Sequence, residues 1–300
     1  MTRRIPVASR ALLAAAMLVS TSGLCAPAAS ATETAACAGV LFDDFAYDSH
    51  TDPRLAQRGW QLRNGGGGPG VGGWSAANAT FPVVDGQPVL QLSAHTDGTT
   101  GGTSQAEVMH QRKFFEGTYS ARVRFSDAPV SGADGDHLVQ TFFTITPLAF
   151  PNDPDYGELD FEYLPNGGWG ESGSTMFLTS WETYQPDPWV ADNRSTAVRG
   201  GYAGWQTLTV QVSGGVLRYF IGDQLVATHD GHVYPETPMM IAFQEWFIDH
   251  AAHSGGRSTY RTQNDWVYYA ANEVLSPGEV GNRVNGLRAN GTTHTDTAAC

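Results

Sequence analysis

Hydrophobic and polar positions alternate in short bursts along most of the chain. The sharpest burst is Gly157-Glu158-Leu159-Asp160-Phe161-Glu162-Tyr163. Successive side chains of a β-strand point to opposite faces, which puts Glu158, Asp160 and Glu162 on one face and Leu159, Phe161 and Tyr163 on the other. A helix would scatter the same residues around its circumference. The apolar set is predicted to enter a core and the acids to line the opposite face. Tyr119, Ala121, Val123 and Phe125 alternate in the same way with Ser120, Arg122 and Arg124.

Strand-like runs recur at 41–45, 89–94, 105–110, 117–125 and 137–146, before the acidic burst. After it they recur at 174–181, 205–212, 216–221, 225–228, 239–246 and 265–271. Gly222-Asp223 between two of them reads as a hairpin turn. No stretch longer than about ten residues carries a helical period, and no internal repeat is visible. Many short strands divided by Gly and Pro predict an all-β fold, a β-sandwich. The polar, Gly- and Asn-rich segment 276–300 is expected to be an extended tail held only by Cys300.

Composition agrees with that architecture. The chain has 300 residues, 41% of them hydrophobic, with 35 Gly and 16 Pro, enough to bury a sizeable core. At the start, Arg3, Arg4 and Arg10 precede an apolar run ending at Val19, and Ala29-Ser30-Ala31 offers a cleavage site. Residues 1–31 therefore read as a signal peptide and 32–39 as a short mature leader, for a protein expected to be secreted and extracellular. No apolar run is long enough to span a membrane, and no membrane partner is expected. Cleavage would move the formal charge from −13 to −16, with 14 basic residues against 30 acidic ones. So acidic a surface repels phosphate backbones, which argues against nucleic acid as a partner and leaves neutral polysaccharides open. Two cysteines would remain, Cys37 and Cys300, and an oxidising destination suggests one disulfide joining the ends. The alternative is two free thiols.

The acidic burst has a chemical consequence. Residues i and i+4 of a strand lie about 13 Å apart at Cα, and two glutamates leaning together bring their carboxyls within roughly 5–6 Å. A retaining glycosidase needs about 5–5.5 Å, so that one carboxylate attacks the anomeric carbon while the other protonates the leaving oxygen. Asp160 between them can hydrogen-bond to a glutamate and hold the two pKa values apart. The competing reading is a solvated strand face, or an edge strand carrying charge against aggregation.

With these residues the sequence resembles glycoside hydrolase family 16, and within it the bacterial lichenases. The family's Glu-x-Asp-x-Glu strand is matched by Glu158-Leu-Asp160-Phe-Glu162, with no extra residue between Asp160 and Glu162. The run from Val139 to Pro147, the segments Gln105-Ala-Glu107 and Gly117-Thr-Tyr119, Pro238-Met-Met240 leading to Trp246, and Asn264-Asp265-Trp266 match flanking strands in the right order, covering about residues 40–272. The resemblance implies a concanavalin A-like jelly-roll domain over 40–275 with a concave substrate cleft. It implies Glu158 as nucleophile, Glu162 as acid/base and Asp160 as assisting carboxylate. Glu107 and Trp246 would line the sugar-binding face. No cofactor would be needed for catalysis, though Asp265 corresponds to a residue that helps hold a structural Ca²⁺.

The resemblance points to a monomeric endo-β-glucanase acting on β-1,3/1,4-glucans. Alternatives are a transglycosylase, a hydrolase of laminarin, xyloglucan or a galactan, or a non-catalytic carbohydrate-binding jelly roll. The glycine-rich loop 65–73, the loop 163–169 and the segment 181–189 depart from the family pattern, and all three are expected to border the cleft. Trp169, Trp181, Tyr184, Trp189 and Trp246 are candidates to stack on sugar rings, or else are ordinary core aromatics. His229, His232, His250 and His253 lack the accompanying Cys or carboxylate cluster of a zinc site and read as surface residues. No Gly-x-Ser-x-Gly elbow is present for an α/β-hydrolase triad.

Overall fold

The computed structural model describes residues 39–299. The expected signal peptide, most of the expected leader and the expected Cys37–Cys300 disulfide fall outside the described residues. The principal strands begin with β1 (Val40–Asp43), β2 (Trp60–Leu62), β3 (Leu90–Thr96), β4 (Ser104–His110) and β5 (Gly117–Phe125). Next come β6 (Leu138–Ile145), the acidic strand β7 (Glu158–Leu164), β8 (Thr175–Pro186) and β9 (Trp189–Arg199). The last are β10 (Gly204–Ser213), β11 (Val216–Ile221), β12 (Gln224–Asp230), β13 (Met240–Phe247), β14 (Ser258–Ala271) and β15 (His294–Asp296).

Two antiparallel layers form from these strands. The cleft sheet runs β9-β8-β7-β6-β13-β4-β2. The outer sheet runs β12-β11-β10-β5-β14-β1-β15, with β3 beside the first half of β14. The expected all-β jelly roll is present, with β7 in the interior of its sheet. Alternation decides what fills the space between layers. Leu159, Phe161 and Tyr163 of β7 join Tyr119, Ala121, Val123 and Phe125 of β5 in one buried cluster. Phe161 stacks on Phe142 at 6.1 Å and meets Tyr219 of the outer sheet edge-on at 5.3 Å. Burying one such aromatic side chain is worth about 1.5–3 kcal/mol, so shifting β7 by one residue would forfeit several and force three acids inward.

Two expectations are corrected. The segment after residue 275 is not an extended tail: Pro277–Ala289 is an α-helix and β15 pairs with β1. Ser276 and Glu279 form a reciprocal capping box, with Pro277 in the first turn. Val280 and Val284 then pack on Phe42, Trp266 and Tyr268, the outward side of the outer sheet. The two valines supply a one-sided stripe too short to show as a period. The histidines are not all at the surface either. His229 is 1% exposed between Ser180 and Thr196, and His253 is half-buried, with Asp136 at 2.8 Å.

Candidate active site

Because the cleft sheet is antiparallel and in register, the acids of β7 continue into rows that cross the strands. The Glu158 row reads Met240, Ile145, Glu158, Trp181, Asn193. The Asp160 row reads Ala242, Phe143, Asp160, Thr179, Ser195. The Glu162 row reads Glu107, Gln244, Thr141, Glu162, Phe177. These rows floor a cleft of about 1130 Å³, bordered by Gly68 and Pro69 at one place and by Tyr156, Tyr184 and Trp189 at another.

Glu158 and Glu162 keep an edge open to the cleft, while Asp160 is 2% exposed. Asp160 accepts from Trp181 Nε1 at 3.0 Å and shares a hydrogen bond with Glu158. Tyr156 donates its hydroxyl to Glu158 Oε2. No side chain among the described residues donates to Glu162. Burial pushes Glu158 up to about 7, and the bonds from Tyr156 and Asp160 oppose that rise. Glu162 is pushed up to about 8, by burial first and then by the Glu158 charge. Burial, then the charges of Glu158 and Glu162, hold the Asp160 carboxyl well above its ordinary range. Asp160 therefore carries the proton in its bond to Glu158, which leaves Glu158 as the acceptor.

The remaining candidates separate. Glu107 lies on the cleft floor, but Arg63 pairs with it at 3.0 Å and Gln244 also donates to it. Trp246 lines the cleft with Trp169, their rings 6.0 Å apart, and Trp169 meets Phe177 at 5.3 Å. A second cluster joins Trp181, Tyr184 and Trp189, with ring centroids 5.6–6.2 Å apart. A β-bulge at Glu182 lets Trp181 and Tyr184, three apart in sequence, both face the cleft. The glycine-rich loop is packed rather than free at Gly70, where a Cβ would lie 2.5 Å from Gln105 and 2.9 Å from Trp246.

Asp265 stands apart, in the outer sheet and 1% exposed. Arg122 holds its Oδ2 at 2.6 Å, and Arg288 holds its Oδ1 at 2.7 Å and its carbonyl at 3.0 Å. Two guanidinium groups do not fit a calcium site, which wants six to eight oxygens. The residues around Asp265 therefore do not fit the Ca²⁺ that the resemblance implied there.

Sequence reasoning passed over Tyr156, Arg63 and Phe177. Tyr156 continues the period-two set of Glu158, Asp160 and Glu162 one step backwards, a signal that was available. Arg63 and Phe177 face the cleft only through strand pairing.

No protein-family model and no curated protein matches the sequence. Solved structures do. A β-glucanase of Bacillus licheniformis is 16% identical, with 78% of this chain and 99% of that one covered at a TM-score of 0.57. A prokaryotic β-1,3-1,4-glucanase (lichenase) from a mouse hindgut metagenome is 19% identical, covering 77% and 99% at 0.55. A glycoside hydrolase family 16 endo-glucanase from Bacteroides ovatus, in complex with G4G3G-2F-DNP, is 15% identical, covering 75% and 98% at 0.58. At these identities the likeness is one of fold, and the chain folds as the β-glucanases of glycoside hydrolase family 16 do.

Proposed function

We propose that the chain is a secreted, endo-acting, retaining glycosidase of the family 16 type that cleaves a neutral β-glycan, with linear β-1,3/1,4-glucan as the leading substrate. The observation that carries this reading is the asymmetry of the acids. Glu158 receives donors from Tyr156 and Asp160, whereas Glu162, on the same face, receives none among the described residues. Donors favour the ionised form of a carboxyl group, so of the pair Glu158 gives up its proton first and Glu162 keeps its own longer. Glu158 then attacks the anomeric carbon and forms a glycosyl ester, while Glu162 gives its proton to the departing sugar oxygen. Glu162, now ionised, takes a proton from water as that water attacks the ester and releases Glu158. Aromatic clusters on both sides of the acids supply faces for several sugar rings, which favours binding within a chain.

Proton NMR of fresh reducing ends, on a panel of β-glucans, tests the reaction. The β configuration should be kept, and an initial α-anomer would mean direct attack by water, with no glycosyl ester on Glu158. Removing either glutamate should cost at least roughly 10²–10⁴-fold. With an activated substrate, azide should restore turnover to Glu158→Ala with an inverted product, and to Glu162→Ala with a retained one. A panel in which only galactans or laminarin are cut would keep the chemistry and change the substrate.

A further inference from the structure

Resting on the assignment of Glu158 as nucleophile, we propose that Tyr156 is a positioning residue whose hydroxyl fixes the orientation and charge of the Glu158 carboxylate. Tyr156 sits two residues before Glu158, where the loop enters β7. That loop is tied down on both sides of it. Tyr156 N–H donates to the Asp153 carbonyl at 3.2 Å, and Asp153 accepts from Ala149 and Asp155 backbone N–H groups at 3.0 Å each. Gly157 N–H donates to Thr146 Oγ1 at 2.9 Å, and Thr146 N–H donates to the Gly157 carbonyl at 2.9 Å. The phenol ring is 3% exposed and packs edge-on to Tyr184 at 5.3 Å. Its hydroxyl therefore has one direction available, and in that direction lies Glu158 Oε2.

Chemistry decides which way the proton points. Burial holds the phenol in its neutral form, so it donates and a carboxylate accepts. The groups facing Glu158 are Asp160 and Glu162 on its own strand and Trp181 and Tyr184 from β8, while Tyr219 of the outer sheet lies behind β7 in the core. From β6 and β13 come only Ile145 and Met240 in its row. None of these is a cation, and no ion pair engages Glu158 among the described residues. Tyr156 and Asp160 are thus the two groups that can favour the ionised nucleophile. Tyr156 is the one that carries no charge of its own in any state of the cycle, so its donation persists through attack, ester formation and release.

Titration of the glutamate carboxyls by ¹³C NMR, in the substrate-free protein, tests this without any need for turnover. The Glu158 signal is assigned by its loss in Glu158→Gln. In Tyr156→Phe, which keeps the ring against Tyr184, the lower titration step of the Glu158–Glu162 pair should move up by about one unit, the worth of one hydrogen bond to a charged group. The acidic limb of kcat/KM should move with it. Tyr156→Met, which fills the space without a donor, gives the same reading if the phenylalanine variant does not fold. Unchanged carboxyl titration would overturn the proposal even if melting temperature or kcat fell, because packing alone explains those losses. A wild-type protein that cuts no glycan would sink the glycosidase reading and still leave the Tyr156–Glu158 coupling to be decided by the titration.

Discussion

At the scale of single residues, a carboxyl group serves opposite ends on the two faces of one sheet. Glu162 faces the cleft, but Glu245 of β13 points into the sandwich between Phe243 and Phe247, fully buried. Its Oε2 accepts from Thr262 N–H at 3.2 Å and its Oε1 has no hydrogen-bond partner among the described residues. Burial raises its pKa well above the ordinary 4.5. The folded protein therefore keeps a proton that the unfolded chain releases above about 4.5, and stability falls as pH rises from there toward the folded-state value. Glu245→Gln mimics the neutral acid. It should raise the melting temperature by several degrees near pH 7–8, with the gain shrinking toward pH 4; a gain that is flat with pH would show that Glu245 is not buried as the acid. His229 has the opposite sign. Burial lowers it to about 4, so what it contributes is lost as pH falls below its ordinary 6.5. The three catalytic candidates were legible in sequence because alternation alone fixes their face. Glu245 was not, since Gln244-Glu245-Trp246 reads as a polar patch until the phase set by Phe243 and Phe247 is taken seriously. Tyr156 was legible in principle, by the same alternation that exposes Glu158.

At the scale of elements, the long β8–β9 hairpin and the C-terminal helix were the hardest to read. Alternation in β8 holds up to Trp181 and then slips at the Glu182 bulge, so the phase of Tyr184 could not be extrapolated. Trp189 is 64% exposed at the start of β9 and touches Tyr184. Trp189→Ala should lower kcat/KM on long glycans about fivefold to tenfold, equivalent to about 1–1.4 kcal/mol. It should leave a short aryl glycoside and the melting temperature nearly untouched; equal losses on both substrates would place Trp189 outside the binding surface. The helix is clamped through Arg288 onto Asp265. Arg288→Ala leaves Arg122 on one oxygen and strips the other, and losing a buried ion-pair partner costs about 3–5 kcal/mol. Adding Ca²⁺ or a chelator to the wild type should not shift its melting temperature. A chelator-sensitive wild type would mean that a cation, rather than Arg288, holds Asp265. The fold could be read from sequence where strands alternate cleanly, as in β5 and β7. It could not be read where a helix relies on a capping box and two valines.

At the scale of the whole molecule, charge selects what can enter the cleft. The chain carries a formal charge of −13, and among the described residues the cleft floor adds no free cation to offset it, because Arg63 is paired with Glu107 and lies over the Trp74 ring at 4.4 Å. That count already includes Glu158 in the ionised form the proposed reaction needs, so an anionic chain approaches a protein of net negative charge. A neutral glycan enters without meeting that field. A sulfated or carboxylated chain of the same backbone must bring its charges against it, and steering of this kind changes association rates by about 10–10³-fold at low salt. Such a polymer should therefore be cut at least about tenfold more slowly than its neutral counterpart at 10 mM salt, with the gap closing as ionic strength rises and the screening length falls from about 30 Å to about 8 Å at physiological salt. The salt dependence is the decisive part of the measurement. A charged substituent that merely clashes with Trp169 or Trp189 would slow cleavage equally at every salt concentration, whereas repulsion by the acidic surface must weaken as salt is added. A gap that does not change between low and high salt would assign the selectivity to shape and remove charge from the account.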